Sequence, residues 1–253
     1  MSEFCIVRGA RPSAAWAILE AVRISPTLPF PALLLGLALL GAGCRTAPTA
    51  KPAPPSRDIA TEYDLIYAIA HGRMSTAPTP FLVATAKTLR PPPGAAALDI
   101  GGGAGRNSFY LARQGYSVTD LDLSHIGLDL ARQQAAAERL PVATVAQDVN
   151  SFDFGQNRWD LIALIDFPFP YQALLPKIAA GLKPGGVVVI QAVAVGEPVS
   201  ESPDHLLHYT YMDRRDLTAP FAGFAILHDH QGEQPTVWGV KALMLRFAAR
   251  KPQ

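Results

Sequence analysis

LDIGGGAGRNS, residues 98–108, places four glycines among the eight residues from Gly101 to Ser108. A short apolar run, AALDI at 96–100, leads into it, and a helical pattern, RNSFYLARQG at 106–115, leads out. Glycine tolerates positive φ and lets a ligand approach the backbone. A helix N-terminus offers unpaired N–H groups. A strand, a glycine loop and a helix in this order therefore read as an α/β unit built around a nucleotide-like ligand. The register narrows the class. A dinucleotide fingerprint spaces its glycines at i, i+2 and i+5. Counted from Gly101 the third position is Arg106, and counted from Gly103 it is Ser108. The spacing is instead Gly101-x-Gly103-x-Gly105, which disfavours a nicotinamide oxidoreductase. Asp99 ends the first strand just before the loop. A carboxylate there repels a pyrophosphate but suits a cationic amino-acid moiety. Asp122 ends the next strand, a position from which a carboxylate accepts hydrogen bonds from ribose hydroxyls.

Outward from the loop, short β-like runs alternate with longer helical ones. Strands are predicted at 96–100, 116–122, 142–148, 159–166 and 186–193, with helices at 106–115, 124–140 and 171–182. Gly115 is placed as a helix stop and Ser124 as an N-cap. KPGG, before the fifth strand, reads as a turn. Two late runs, FAILHDH at 224–230 and WGVKALMLRFAAR at 238–250, lie too close together for a parallel crossover, so they form a hairpin. The expectation is a doubly wound, Rossmann-like sheet of seven strands, mostly parallel and antiparallel at its C-terminal end.

Bulk properties bound the rest. From Asp58 onward there are 16 Lys and Arg against 19 Asp and Glu, a net charge of −3. A net-negative body argues against a nucleic-acid partner, which needs a basic face. The cysteines are Cys5 and Cys44, so the body holds neither a disulfide framework nor a cysteine metal cluster. Three divisions follow: 1–44, a linker at 45–57 rich in Pro, Ala and Thr, and a folded domain at 58–253. The first segment carries Arg8, Arg11 and Arg23, then an apolar run from Leu28 to Gly43 that ends in LLGAGC. It is short for a spanning helix and resembles a bacterial lipoprotein signal, with Cys44 as the lipidated residue. Gly41 stands where that pattern prefers Leu. Two readings stand: a membrane-anchored lipoprotein, or a misassigned start before a cytoplasmic protein.

LDIGGGAGRNS, GYSVTDLDLS, AQDV and LKPGGVVVI, taken in order, resemble class I S-adenosylmethionine-dependent methyltransferases. Within that family they are most similar to a small tellurite-resistance-like branch, over residues 60–250. The resemblance implies S-adenosylmethionine as cofactor. Asp99, Gly101, Gly103 and Gly105 would surround its methionine part, Asp122 would bind the ribose, and Leu123 would lie against the adenine. Asp148 would face the adenine amino group with Val149 beside it, and Asp166 to Pro170 would line the transfer site. Asp166 would orient the acceptor, bind the cofactor amino group or cap a loop. IDFPFPY at 165–171 departs from the branch and differs from an Asp-Pro-Pro-Tyr motif at Phe167. Arg106 and Asn107 would pin the loop, and Tyr63, Tyr67 and residues 71–81 would fold over the cofactor.

The resemblance implies a small-molecule acceptor and a monomer or weak homodimer. Residues 202–217 would build the acceptor pocket, with His205, His208, Tyr209, Tyr211, Arg214 and Arg215. The candidates for a catalytic role are Asp166, His205 and Tyr171. No metal ligand set is read, because no acid stands at metal spacing from His205 and His208. Arg214 and Arg215 read either as an anion-attracting pair or as a solvated face. The rival to an enzyme is a tethered, non-catalytic protein of the same fold.

Overall fold

In the computed structural model, the described residues are 59–70, 74–168, 170–195, 211–236, 239 and 241–253. All of them fall within the compact unit Ala53–Gln253. Cys44, the lipoprotein-like segment, the linker, His205, His208 and Tyr209 lie outside the described residues.

The elements in chain order are α1 (Ile59–Ala70), α2 (Pro80–Thr88), β1 (Ala95–Ile100), α3 (Arg106–Arg113), β2 (Tyr116–Asp122), α4 (His125–Glu138) and β3 (Val142–Ala146). There follow β4 (Trp159–Ile165), α5 (Leu174–Gly181), β5 (Leu182–Val193), a 3-10 turn (Arg214–Leu217), β6 (Ala225–Pro235) and β7 (Lys241–Arg250). They build one seven-stranded sheet in the order β3-β2-β1-β4-β5-β7-β6. The first five strands run parallel, and β7 pairs antiparallel with both β5 and β6. The sheet is the one expected from the sequence.

Alternation along each strand feeds two cores. Leu98, Ile100, Ile162, Leu164, Val188 and Ile190 pack towards α5 and the 3-10 turn. Ala97, Leu161, Ala163, Val187 and Val189 pack towards α2 and α3 on the other face. This two-sided burial explains why the central strands read as apolar runs.

Several boundaries differ from the sequence expectation, and three of the differences move named residues. Strand β3 stops at Ala146, which leaves Gln147 and Asp148 beyond its carboxyl end. Helix α5 begins at Leu174, because Tyr171–Ala173 form a turn closed by the Leu174 N–H donating to the Tyr171 carbonyl at 2.8 Å. KPGG is taken into β5, with a register shift opposite Trp159 and Leu161. A Cβ on Gly186 would lie 2.9 Å from the carbonyl oxygens of Lys183 and Trp159, so the strand passes there only with glycine.

Order decides where a ligand goes. From β1 the chain winds outward one way through β2 and β3, and the other way through β4 and β5. Ligands bind at the carboxyl ends of the strands where the winding reverses. That point is the mouth between β1 and β4, at the glycine loop.

Candidate active site

The loop that follows β1 is held from three sides. The Gly101 N–H donates to the Leu121 carbonyl at 2.7 Å. Gly101, Gly103 and Gly105 all have positive φ. A Cβ on Gly103 would stand 1.7 Å from the Tyr67 hydroxyl, and one on Gly102 would stand 2.3 Å from Asp120 Oδ1. The glycines are thus required partly by the protein's own packing: Tyr67 of α1 above the loop and a buried carboxylate of β2 behind it.

A cavity of about 330 Å³ opens at this point, within the size range of small-molecule sites. Its wall includes Gly101, Gly102, Asp122, Leu123, Asp148, Val149, Asp166 and Phe167. Of the residues singled out from the sequence, the structure gathers Gly101, Asp122, Leu123, Asp148, Val149 and Asp166 there. It does not bring Asp99, Gly103 or Gly105 to the wall. Asp99 is 1% exposed and accepts from Ser108 Oγ at 2.8 Å, so it supports the loop from within. Gly103 faces Tyr67 and Gly105 faces the Phe109 ring.

Asp122 ends β2 at the cavity edge. Its Oδ2 accepts from the Gly103 N–H at 3.0 Å and its Oδ1 from the Ser124 N–H at 2.8 Å. Burial pushes its pKa up to about 6, against the pull of those N–H groups. Ser124 caps α4 by accepting from the Gly127 N–H, and donates its hydroxyl to Asp64 of α1 at 2.7 Å. Asp64 also accepts from the Ile126 N–H at 2.9 Å. Helix α1 is therefore tied to the start of α4, and the tie holds Tyr63, Ile66 and Tyr67 over the cavity. Asp148 is exposed and bends back on itself, accepting from both the N–H and the side-chain amide of Asn150.

Asp166 stands at the end of β4 with φ +55°, a conformation that costs a non-glycine residue about 1–3 kcal/mol. Three contacts hold it there. Arg106 Nη2 donates to its Oδ2 at 2.8 Å, Gln191 Nε2 donates to its Oδ1 at 3.2 Å, and its own N–H donates to the Gln191 carbonyl at 2.8 Å. Burial raises its pKa, and Arg106 opposes that rise. Arg106 also donates to the Ala77 carbonyl, and Asn107 Oδ1 accepts from the Thr79 N–H at 2.9 Å. These two residues pin the segment before α2 beside the cavity, where Met74, Ser75 and Thr76 join the wall.

One sequence expectation is corrected, and one pair of open readings is decided. Tyr171 is 2% exposed and away from the wall. Its hydroxyl donates to Asp216 Oδ2 at 2.7 Å and accepts from the Asp213 N–H at 2.9 Å, so it anchors the 3-10 turn and has no catalytic reach. The anion-attracting reading of Arg214 and Arg215 also falls, since Arg214 pairs with Asp229 and Arg215 with Asp213. No group of metal-binding side chains occurs among the described residues.

Ile66, Gln147, Asn150 and Gln191 belong to the site without having been singled out from the sequence. Gln191 has a visible signal: it is the lone polar residue in the apolar run VVVIQAV. Gln147 and Asn150 carry none, as polar residues flanking a strand end.

Residues 97–186 match the family described as a methyltransferase domain. A probable S-adenosyl-L-methionine-dependent methyltransferase TehB from Haemophilus influenzae is 30% identical over 86 residues, 34% of this chain and 30% of its own length. The crystal structure of TehB superposes with a TM-score of 0.59 at 23% identity, covering 75% of this chain and 67% of that one. A ubiquinone biosynthesis O-methyltransferase from Coxiella burnetii is 31% identical over 100 residues, 38% of this chain and 42% of its own. A 1,6-didemethyltoxoflavin-N1-methyltransferase from Burkholderia thailandensis, with 1,6-didemethyltoxoflavin and S-adenosylhomocysteine bound, gives a TM-score of 0.56 at 25% identity over 82% and 93% of the two chains. The chain thus spans 30% to 42% of the length of these two curated relatives. Strand order, glycine register and family match agree: residues 97–186 match the methyltransferase domain family, and the sheet has the fold of the solved methyltransferases on which it superposes.

Proposed function

We propose that this chain is a methyltransferase that binds S-adenosylmethionine in the cavity over the glycine loop and passes its methyl group to a small organic acceptor. One observation carries the reading. Asp122 and Asp166 stand at the carboxyl ends of the strands on either side of β1, roughly 10 Å apart by strand spacing, with the loop between them. That is a seat for an elongated nucleoside with a diol at one end and a cationic amino acid at the other.

The donor set fits the cofactor. Each Asp122 oxygen accepts one backbone N–H and retains a lone pair, which suits two ribose hydroxyls. Leu123, Val149 and Ile66 offer apolar walls to a flat base, with Gln147 and Asp148 at its edge. When bound, the cofactor supplies a methyl group on a sulfonium, whose positive charge is lost as transfer proceeds. The residues of the chain orient the reactants and exclude water. Helix α1 roofs the site, and Arg106 and Gln191 fix the Asp166 carboxylate at its floor. A neutral or anionic nucleophile needs no base from the protein.

Asp122→Ala tests the assignment. Losing charge-assisted bonds worth about 1.5–3 kcal/mol each should weaken S-adenosylhomocysteine binding on the order of 100-fold, while thermal melting stays cooperative. Unchanged affinity in a folded variant would remove Asp122 from the site.

The segment 1–44 supports a second proposal, that Cys44 anchors the chain to a membrane; it rests on LLGAGC alone. This segment also favours the rival reading, a tethered binding protein that transfers nothing. Incubation with labelled S-adenosylmethionine and a panel of small phenols, amines and thiols separates the two. Label on any acceptor supports the enzyme, and binding without transfer across the panel supports the tethered protein.

A further inference from the structure

Four positions lie in one row across the carboxyl end of the sheet. Register pairs Ile165 of β4 with Gln191 of β5, Gln191 with Arg246 of β7, and Arg246 with His230 of β6. All four share the face that α2 covers. Gln191 joins the row to the site, because its amide holds Asp166 on the cavity wall. Arg246 lies two strands from β4, roughly 10 Å at strand spacing.

The charges in this row do not balance. Arg106 is matched by Asp166. Arg246 has no hydrogen-bond or ion-pair partner among the described residues, and its Nε is buried without an acceptor. His228 Nε2 is buried and unpartnered as well. His230 Nε2 and Arg246 Nη2 both lie within 4 Å of the point where a Cβ on Gly232 would stand, so the two donor groups converge over that glycine. Phe81 of α2 packs against the His228 ring, with centroids 4.8 Å apart. The carboxylate between the histidines, Asp229, is on the other face of the strand; its Oδ2 accepts from Arg214, and its Oδ1 is buried with no hydrogen-bond partner among the described residues. A buried guanidinium donor and imidazole nitrogen left unpaired are costly unless a ligand completes them.

We propose that Arg246, His230 and His228 form an oxyanion-recognition subsite beside the transfer site, and that the methyl acceptor is an organic molecule carrying a carboxylate or a phosphate. The planar fork of Arg246 suits either group. The separation from Asp166 sets the acceptor's reach: an anion at one end and the nucleophile about one ring and a short arm away. His228 adds a reporter, since burial lowers its pKa first, with Arg246 and then His230 adding to the effect. The charged and titratable groups around it are Arg246, His230 and Asp229. An anion that screens Arg246 should raise it.

This inference rests on the methyltransferase reading for the identity of the ligand, and the experiment keeps the two apart. The full chain is titrated with inorganic phosphate and separately with benzoate, at constant ionic strength with chloride as control, while the histidine ring resonances are followed by NMR. Binding of S-adenosylhomocysteine is measured on the same samples. The expected result is a saturable shift of His228 and His230 with one oxyanion and not with chloride. In Arg246→Gln the apparent affinity should fall at least tenfold while S-adenosylhomocysteine binds as in the wild type. Arg246→Lys, which keeps the charge and loses the fork, should fall between the two and serves if the glutamine variant does not fold. Saturation by phosphate rather than benzoate identifies the group. The absence of a saturable shift in the wild type, or a shift that survives Arg246→Gln, overturns the subsite. If the oxyanion binds and S-adenosylhomocysteine does not, the methyltransferase reading fails and the anion site stands.

Discussion

Asp120 is the most open to test among single residues, although it is wholly buried from solvent. Neither carboxylate oxygen meets the geometry of a hydrogen bond among the described residues, and its strand neighbour in register is Asp99. Burial holds its pKa well above the ordinary 3.8, with Asp99 and then Asp122 pushing the same way. The folded chain therefore binds this proton more tightly than the unfolded chain. The resulting stabilisation is complete below the ordinary carboxylate pKa and is lost as pH rises through the raised value of the folded state. Asp120→Asn keeps the volume and cannot ionise. Its denaturation midpoint is predicted to fall less than the wild type's between pH 5 and pH 8. The gap in stability should open by at most about 1.4 kcal/mol for each pH increment of one, the effect of a single proton. Equal pH slopes in the two proteins would contradict this. Asp120 also shows what the sequence hides at this scale. TDLD at 119–122 offers two aspartates that look alike. Alternation puts both on one face; only depth along the strand separates them, with Asp122 at the end of β2 on the cavity and Asp120 two residues further in, beneath Gly102.

Helix α1 matters most among the elements. It is legible only as a segment with Tyr63 and Tyr67 before the first strand. Its placement depends on Asp64 reaching Ser124 and Ile126, a contact 60 and 62 residues away in sequence that no local pattern announces. Asp64→Ala removes an acceptor that supports the start of α4. A cap of this kind contributes about 0.5–2 kcal/mol, so a comparable loss of stability is predicted, measured by urea denaturation. Because α1 roofs the cavity, affinity for S-adenosylhomocysteine should drop several-fold in the same variant. Lost stability with full affinity would mean that α1 does not cover the ligand. The strands are easier to read, since burial on both faces writes itself as apolar runs. KPGG misleads for a physical reason: a Pro-Gly pair has the chemistry of a turn, and only the tight passage of Gly186 against Trp159 makes it a strand. The strained backbone of Asp166 has no signal, because its three supports come from α3 and β5.

For the whole molecule, the order of strands is the most legible property. The glycine register, the alternation of elements and the short gap before β7 together dictate a doubly wound sheet with an antiparallel end. The cavity is legible where residues follow strands directly, as with Asp122 and Asp166, and illegible where distant segments close over it. The N-terminal segment belongs to this scale too. No helix among the described residues is long and apolar enough to cross a membrane. If Cys44 is lipidated, the chain expressed in bacteria will sediment with membranes and Cys44→Ser will release it to the supernatant. Equal partitioning of the two proteins would contradict the anchor.

The central claim is that the cavity over the glycine loop binds S-adenosylmethionine. Calorimetric titration of the full chain with S-adenosylmethionine, S-adenosylhomocysteine and NAD tests it most directly. Micromolar binding of both sulfur nucleotides with none of NAD is predicted, from the glycine register and the paired seats at Asp122 and Asp166. Binding of NAD, or of none of the three, would contradict it.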